Sequence, residues 1–535
     1  MTVDEYEQSR DWFHQGEGNL FFYNLCLADP NDDRVRERAE RFAGFYLADA
    51  PTGNYDGDRN LVCAPMNGSM GPDYCDFSAF TDYHPYGHDY NWPRRGLPFQ
   101  DIEGIDSIED ITDPANEERL FEVLNERCSR GDTPMNLAIT ALMANAYLLT
   151  GDQRYREWVT EYTEAWIERT RENDGIVPDN VGQSGEIGEY IDGKWYGGFY
   201  GWTWSGWSIV SDPLAVAAEN AMLLEGGDRD YLELVRSTFD TLIEHAIERR
   251  ADGGPQRTLY VPHKYGDPGD YRYKPGSALT DGEGNVRFED GWFSFQPMGA
   301  SVPTHLWYAS MDDADVERIR RIRNWNSREW ERLRPRFGKR MGGQDQGFVA
   351  YLNGELPDYP ERILELDRYQ VTRRLRNVRD DDEDPAAYGD NYLQQRNPIA
   401  EEGLVQLTMG APRQVYNGGL LMARVRHFDP ARGRPGLPPA VAALVDGVAA
   451  DRTTFQLVNL GAEYRDVIVQ AGAYAEHDFG DVRYGALDAS DGQETVNDSR
   501  LRVTLPPQSR IAVDADTDRF ANDPSYAFPP AVSSK

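Results

Sequence analysis

Lysine is almost absent from this chain. Its 535 residues include only Lys194, Lys264, Lys274, Lys339 and Lys535, against 91 acidic and 55 basic residues in total, for a formal net charge of -36. Such a surface repels nucleic acid and anionic membranes, which excludes a general nucleic-acid binder. Excess carboxylate with arginine in place of lysine is also the composition of a protein adapted to molar salt, where a Debye length of roughly 3 Å screens self-repulsion. Much of the acidity is therefore solvent adaptation and says little about substrate. Cysteine is scarce too: Cys26, Cys63, Cys75 and Cys128 are widely spaced without a C-x-x-C pair, which argues against a disulfide framework or zinc ribbon and predicts a reduced, cytoplasmic protein. No run approaches the ~20 apolar residues of a membrane span. The opening MTVDEYEQSRDWFHQGEGNL has neither the basic nor the apolar region of a secretory signal. A P-loop, a dinucleotide fingerprint and a G-x-S-x-G elbow are all missing, and no cofactor is expected.

What is present begins with a repeated pattern. Residues 137–166, LAITALMANAYLLTGDQRYREWVTEYTEAW, and 214–243, LAVAAENAMLLEGGDRDYLELVRSTFDTLI, each read as an apolar helix, a Gly/Asp turn and an amphipathic helix. Gly151 suits the left-handed residue that ends a helix and Asp152 the cap of the next, in which Tyr155, Trp158, Val159, Tyr162 and Trp166 share one face. Weaker copies lie at 21–45 and 304–325, and further helices are predicted around 116–130, 361–379 and 392–409. The connections between them are long and rich in glycine and aromatics, too aromatic for disorder. After residue 411 the texture changes. TTFQLVNLG, YRDVIVQAG and LRVTLPPQSRIAV alternate apolar and polar residues between Gly, Asp and Pro, the pattern of short antiparallel strands.

Through hairpins such as AYLLTGDQRYREWV, the chain resembles the six-hairpin (α/α)6-toroid glycosidases and related polysaccharide lyases. NGSMGP and DNVGQSGEIGEYIDGKWYGGFYGW also look like segments of bacterial proteins without an assigned activity. The resemblance implies a mainly α fold: a toroid over 1–411, a β-sandwich-like domain over 412–515 and a Pro-rich tail over 516–535. It further implies action on an oligosaccharide, including one that contains a uronic acid.

The segment from Asp179 to Trp207 carries the densest chemistry. Its rings, among them Trp195, Tyr196, Trp202 and Trp204, either pack loops onto the helices or stack on sugar faces. Glycoside hydrolysis needs two carboxyl groups about one bond, and Asp179, Glu186 and Glu189 lie here; desolvation among the rings would raise a carboxyl pKa. Asp345, in GGQDQG, is a further candidate for the second carboxylate. The four internal lysines, Lys194, Lys264, Lys274 and Lys339, each survive in a Gly/aromatic segment, which points to contact with substrate or a catalytic carboxylate. His263 and Tyr265 would suit the alternative chemistry, β-elimination from a uronate. His84, His88 and Asp89 add a polar loop that is a candidate substrate contact and matches no strong zinc spacing. A hydrolase of glycosidic bonds is the favoured reading, with a lyase and a non-catalytic sugar-binding protein as rivals.

Overall fold

The computed structural model describes residues 11–74, 102–105, 113–203, 205–250, 257–266, 288–325, 332–335, 343–385, 396–486 and 489–529, with the single positions 110, 388 and 392. Its clearest hairpin joins Ile139–Thr150 to Gln153–Glu172. Gly151 takes φ 73°, and the Asp152 carboxylate accepts from the Arg154 amide at 3.0 Å, so the chain reverses on two residues. A second hairpin joins Trp207–Leu224, through a short 3-10 turn at Arg229–Leu232, to Glu233–Glu244. The first helix of each pair is buried nearly all round, whereas the second shows solvent a polar face.

The chain does not form the expected mainly α six-hairpin toroid. Among the described residues, helix makes up 41% and strand 20%, with 12 helices and several antiparallel sheets. Among the described residues, Ile247–Arg250, Arg257–Tyr265 and Trp292–Pro297 pair as a three-stranded antiparallel sheet within the span expected to be helical. In RTLYVPHKY, the Pro-His-Lys sequence resembles a loop. Its register against WFSFQP shifts between Pro262 and Lys264 and again between Lys264 and Tyr265, which lets a proline sit in a strand. Leu259, Val261, Trp292 and Phe295 of this sheet join the same buried core as the helices. Tertiary pairing thus converted a presumed connection into part of the scaffold.

Farther along the chain, Val425–Asp429, Arg434–Pro435, Arg465–Ala471 and Arg500–Leu505 make a four-stranded sheet. Val441–Val448, Arg452–Asn459, Asp478–Ala486, Ala489–Asp498 and Ser509–Asp518 make a five-stranded one. Burial alternates residue by residue along Arg452–Asn459, as the sequence pattern requires, and Phe455, Leu457, Val467, Val469, Val503 and Val513 belong to one shared core. The last described segment returns to the helices: the Tyr526 hydroxyl donates to Asn145 at 2.8 Å, and its amide donates to the Leu148 carbonyl. No helix among the described residues is long and apolar enough to cross a membrane.

Candidate functional site

Asp179 is the knot of the segment that precedes the Trp207–Leu224 helix. It is fully buried, and its carboxylate accepts from the amides of Gly197 at 3.0 Å, Gly198 at 2.8 Å and Trp202 at 2.6 Å, and from the Asn180 side chain at 3.0 Å. Burial pushes its pKa up, against the pull of these donors. The backbone closes around it so tightly that a Cβ on Gly201 would lie 2.0 Å from an Asp179 oxygen. With its oxygens turned into the loop, Asp179 shapes this segment and is not placed to attack a substrate.

Glu186 and Glu189 do not share that burial. Both are exposed, so the desolvation expected from their aromatic neighbours is missing. Glu189 instead accepts from the Ser184 amide and hydroxyl, at 2.9 and 2.8 Å, and closes a surface turn. Gly188 and Gly193 carry the chain round at positive φ, which turns these carboxylates outward.

The rings divide in two. Trp202 and Trp292 are fully buried, and the Trp202 indole donates to the Val177 carbonyl at 2.7 Å; Trp202 is a core residue and not the substrate contact expected. Trp195, Tyr196 and Tyr265 are only partly buried and stand together, with Tyr265 centred 4.5 Å from Trp195 and 5.0 Å from Tyr196. The Lys194 ammonium lies 5.9 Å from the centre of the Tyr196 ring. Tyr265 arrives on the Arg257–Tyr265 strand, its amide donating to the Trp202 carbonyl at 3.2 Å.

On the same strand His263 and Lys264 are buried, and burial beside the Lys264 charge drives the His263 imidazole down to about 3. The His263 carbonyl abuts Gly206, which has φ 61° and ψ -151°; a Cβ there would lie 1.6 Å from that oxygen. Gly206→Ala is therefore expected to destabilise the protein by at least about 2–4 kcal/mol through backbone strain and clash, read as a lower urea midpoint at constant m.

A second cluster, which the sequence reading caught only through Asp345, lies among the helices. Asp345 is buried and begins Asp345–Leu352, an end of a helix that favours negative charge. Glu402, buried at the start of Glu402–Met409, accepts from the amides of Gly343 at 2.8 Å and Gln344 at 2.7 Å through Oε1. Its buried Oε2 has no hydrogen-bond partner among the described residues. Burial, and then the charge of Asp345, push Glu402 up to about 8.

Beside this pair, His305 lies between two acceptors: Nδ1 is 2.7 Å from Glu219 Oε1 and Nε2 is 3.0 Å from the Arg413 carbonyl. Although burial opposes its charge, Glu219, Asp345 and Asp212 together raise it to about 9, so it is held as an imidazolium. Asp212 and Glu219 lie two turns apart on Trp207–Leu224, and the charges of both favour the His305 imidazolium.

Four of these residues, Asp212, Glu219, His305 and Glu402, were missed. Glu219, in AAENAML, and His305, in PTHLWY, each interrupt an apolar helix, and a buried ionisable residue needs a partner. That signal was legible. Glu402, in PIAEEGLV, stands beside another glutamate in an acidic chain and carries no such mark.

Residues 1–405 match the model of a family described as a domain of unknown function (DUF8034). The chain belongs to this family. The matched span holds the whole cluster of Asp212, Glu219, His305, Asp345 and Glu402, and it stops short of the two large sheets. No curated protein and no solved structure matches the chain. The family domain thus contains two separate features, the half-buried rings around Trp195 and the buried acid/base cluster. Glu186, Glu189 and Lys194 stay with the outer turn, while Asp345 sits with Glu402 and His305. Trp204, Lys274, Lys339, His88 and Asp89, with His84, lie outside the described residues.

Proposed function

We propose that this protein hydrolyses a glycosidic bond in an oligosaccharide, with Glu402 as general acid and Asp345 as the partner carboxylate. The observation that carries the reading is the pairing of two buried carboxyl groups, of which Glu402 is pushed up to about 8 by burial and by the charge of Asp345. Glu402, desolvated and facing a like charge, keeps its proton near neutral pH, whereas Asp345 has a helix N-terminus to support its anion. This is the division of labour that glycoside cleavage requires, one group to protonate the leaving oxygen and another to act as base or nucleophile. His305, fixed by Glu219 and the Arg413 carbonyl, supplies a positive charge beside the pair. Trp195, Tyr196 and Tyr265 offer ring faces for sugars, and the helix bearing Asp212 and Glu219 starts directly after the aromatic segment.

Elimination by His263 and Tyr265 is less well supported. An imidazole held near 3 is a weak base, and its ring is buried. The reading keeps the protein in the cytoplasm, acting on short imported oligosaccharides, with neither nucleic acid nor membrane as partner.

The test is a panel of neutral and uronate-containing oligosaccharides, followed by both reducing-end release and ultraviolet absorbance. New reducing ends without absorbance are expected. Growth of the absorbance of an unsaturated uronate would transfer the activity to the lyase reading, and binding without any product would make this a sugar-binding protein.

A further inference from the structure

Glu219, which holds His305 on one side, also lines a cavity of about 30 Å³ between the helices and the β-rich part of the chain. The opposite wall carries Arg424, Glu476, His477 and Arg519. Arg424 is the unusual member. It is 2% exposed, and none of its three guanidinium nitrogens finds a hydrogen-bond acceptor among the described residues. Tyr308 lies beside it, with the guanidinium 5.5 Å from the ring centre, and the buried Tyr308 hydroxyl is also unpartnered. A second guanidinium, that of Arg519, donates to the carbonyls of Ala309 and Ser310 while its Nε remains unpartnered.

An arginine does not shed its proton in a protein, so a buried guanidinium with five unmet N–H groups calls for a negative charge or a set of acceptors. The nearby carboxylates supply this only in part, Glu476 through charge alone and without a hydrogen bond to the guanidinium. Glu476 accepts from the Tyr474 amide at 2.7 Å, and burial pushes it up to about 7, while Glu219 is engaged with His305. His477 accepts from the Phe520 amide through Nδ1, which leaves its other ring nitrogen as a donor. The wall is therefore rich in donors and carries two arginines, with one of its two carboxylates already balanced by His305.

Size narrows the occupant. A water needs about 10–15 Å³ of such space, so 30 Å³ accommodates a monatomic anion or about two waters and is too small for phosphate, sulfate or a sugar acid. A chain whose composition fits molar salt would meet chloride at high concentration.

We propose that this cavity is a specific halide site, in which Arg424, with Arg519 and the Tyr308 hydroxyl, binds one chloride ion between the helical and β-rich parts. The site stands independently of the glycosidase reading, because it touches that centre only through Glu219. Its binding would tie the two parts together and add stability by mass action.

Two measurements test it. The first compares melting of the intact protein in sodium chloride and in sodium gluconate at equal ionic strength, which holds surface screening constant. A Tm a few degrees higher in chloride is expected, with the difference lost in Arg424→Met. The second soaks wild-type crystals in bromide and locates the anomalous scatterer, which needs no variant to fold. A bromide peak within hydrogen-bonding reach of Arg424 is expected. Equal melting in the two salts, a difference that survives Arg424→Met, or a cavity without a bromide peak would overturn the proposal.

Discussion

Glu402→Gln is expected to lower kcat/KM by about 10³-fold, roughly 4 kcal/mol of transition-state stabilisation, on whichever oligosaccharide the panel identifies. The substitution is nearly isosteric. The amide oxygen can still accept from Gly343 and Gln344, and an amide nitrogen takes the place of an oxygen that has no partner. What is lost is the proton that an acid must transfer. Stability should change little below about pH 4.5, where the carboxyl is protonated in both the folded and the unfolded state, and the difference from the wild type should grow in a defined direction above that pH. Glu402 is raised from 4.5 to about 8 on folding, so its protonated form contributes stability that is complete below pH 4.5 and is lost as pH rises toward 8. A glutamine does not titrate, so the variant should gain on the wild type as pH rises across that window, as read by urea denaturation at pH 5 and pH 8. Wild-type activity should fall on the alkaline side as Glu402 loses the proton it must transfer. Asp345→Asn should cost activity on a similar scale. An active Glu402→Gln enzyme would remove this carboxyl from the chemistry.

Asp179→Ala is expected to cost about 3–5 kcal/mol of folding stability, the range for stripping a buried charged group from its partners. Three buried backbone amides would lose their acceptor, and the Asn180 side chain would lose one of its two. Relief of the desolvated carboxylate offsets part of this cost, and Asp179→Asn, which keeps one acceptor oxygen, should be milder. Because the same knot places Trp195 against Tyr265, tryptophan fluorescence should report a rearranged ring cluster in the folded Ala variant. A loss below about 1 kcal/mol would show that the loop does not depend on this residue.

The contrast between Asp179 and Glu189 shows what could be read in advance. The two stand ten positions apart in the same aromatic segment, and composition gave each the same reason to be desolvated. Asp179 is swallowed by the amides of Gly197, Gly198 and Trp202, while Glu189 faces water on a surface turn. Nothing local distinguishes them, because their burial depends on how glycines at positive φ fold the segment over itself. The survival of lysine was an uneven guide for the same reason. Lys264 is buried on a strand, whereas Lys194 stands over Tyr196 in the outer turn.

Where the physics is local, the sequence determined the outcome. Helical periodicity with Gly151 and Asp152 produced the hairpin, and alternation along TTFQLVNLG produced a strand with one buried face, since each depends on neighbours within a turn or a pleat. Acidity and the scarcity of lysine are likewise set by the sequence alone, whatever the fold. The three-stranded sheet within the expected toroid, the tail docked on Asn145 and the meeting of Glu219, His305, Asp345 and Glu402 were decided only by the tertiary structure. Those side chains come from four helices spread over nearly two hundred residues, and their altered protonation arises from mutual charge and exclusion of water, which exist only once the chain has closed around them.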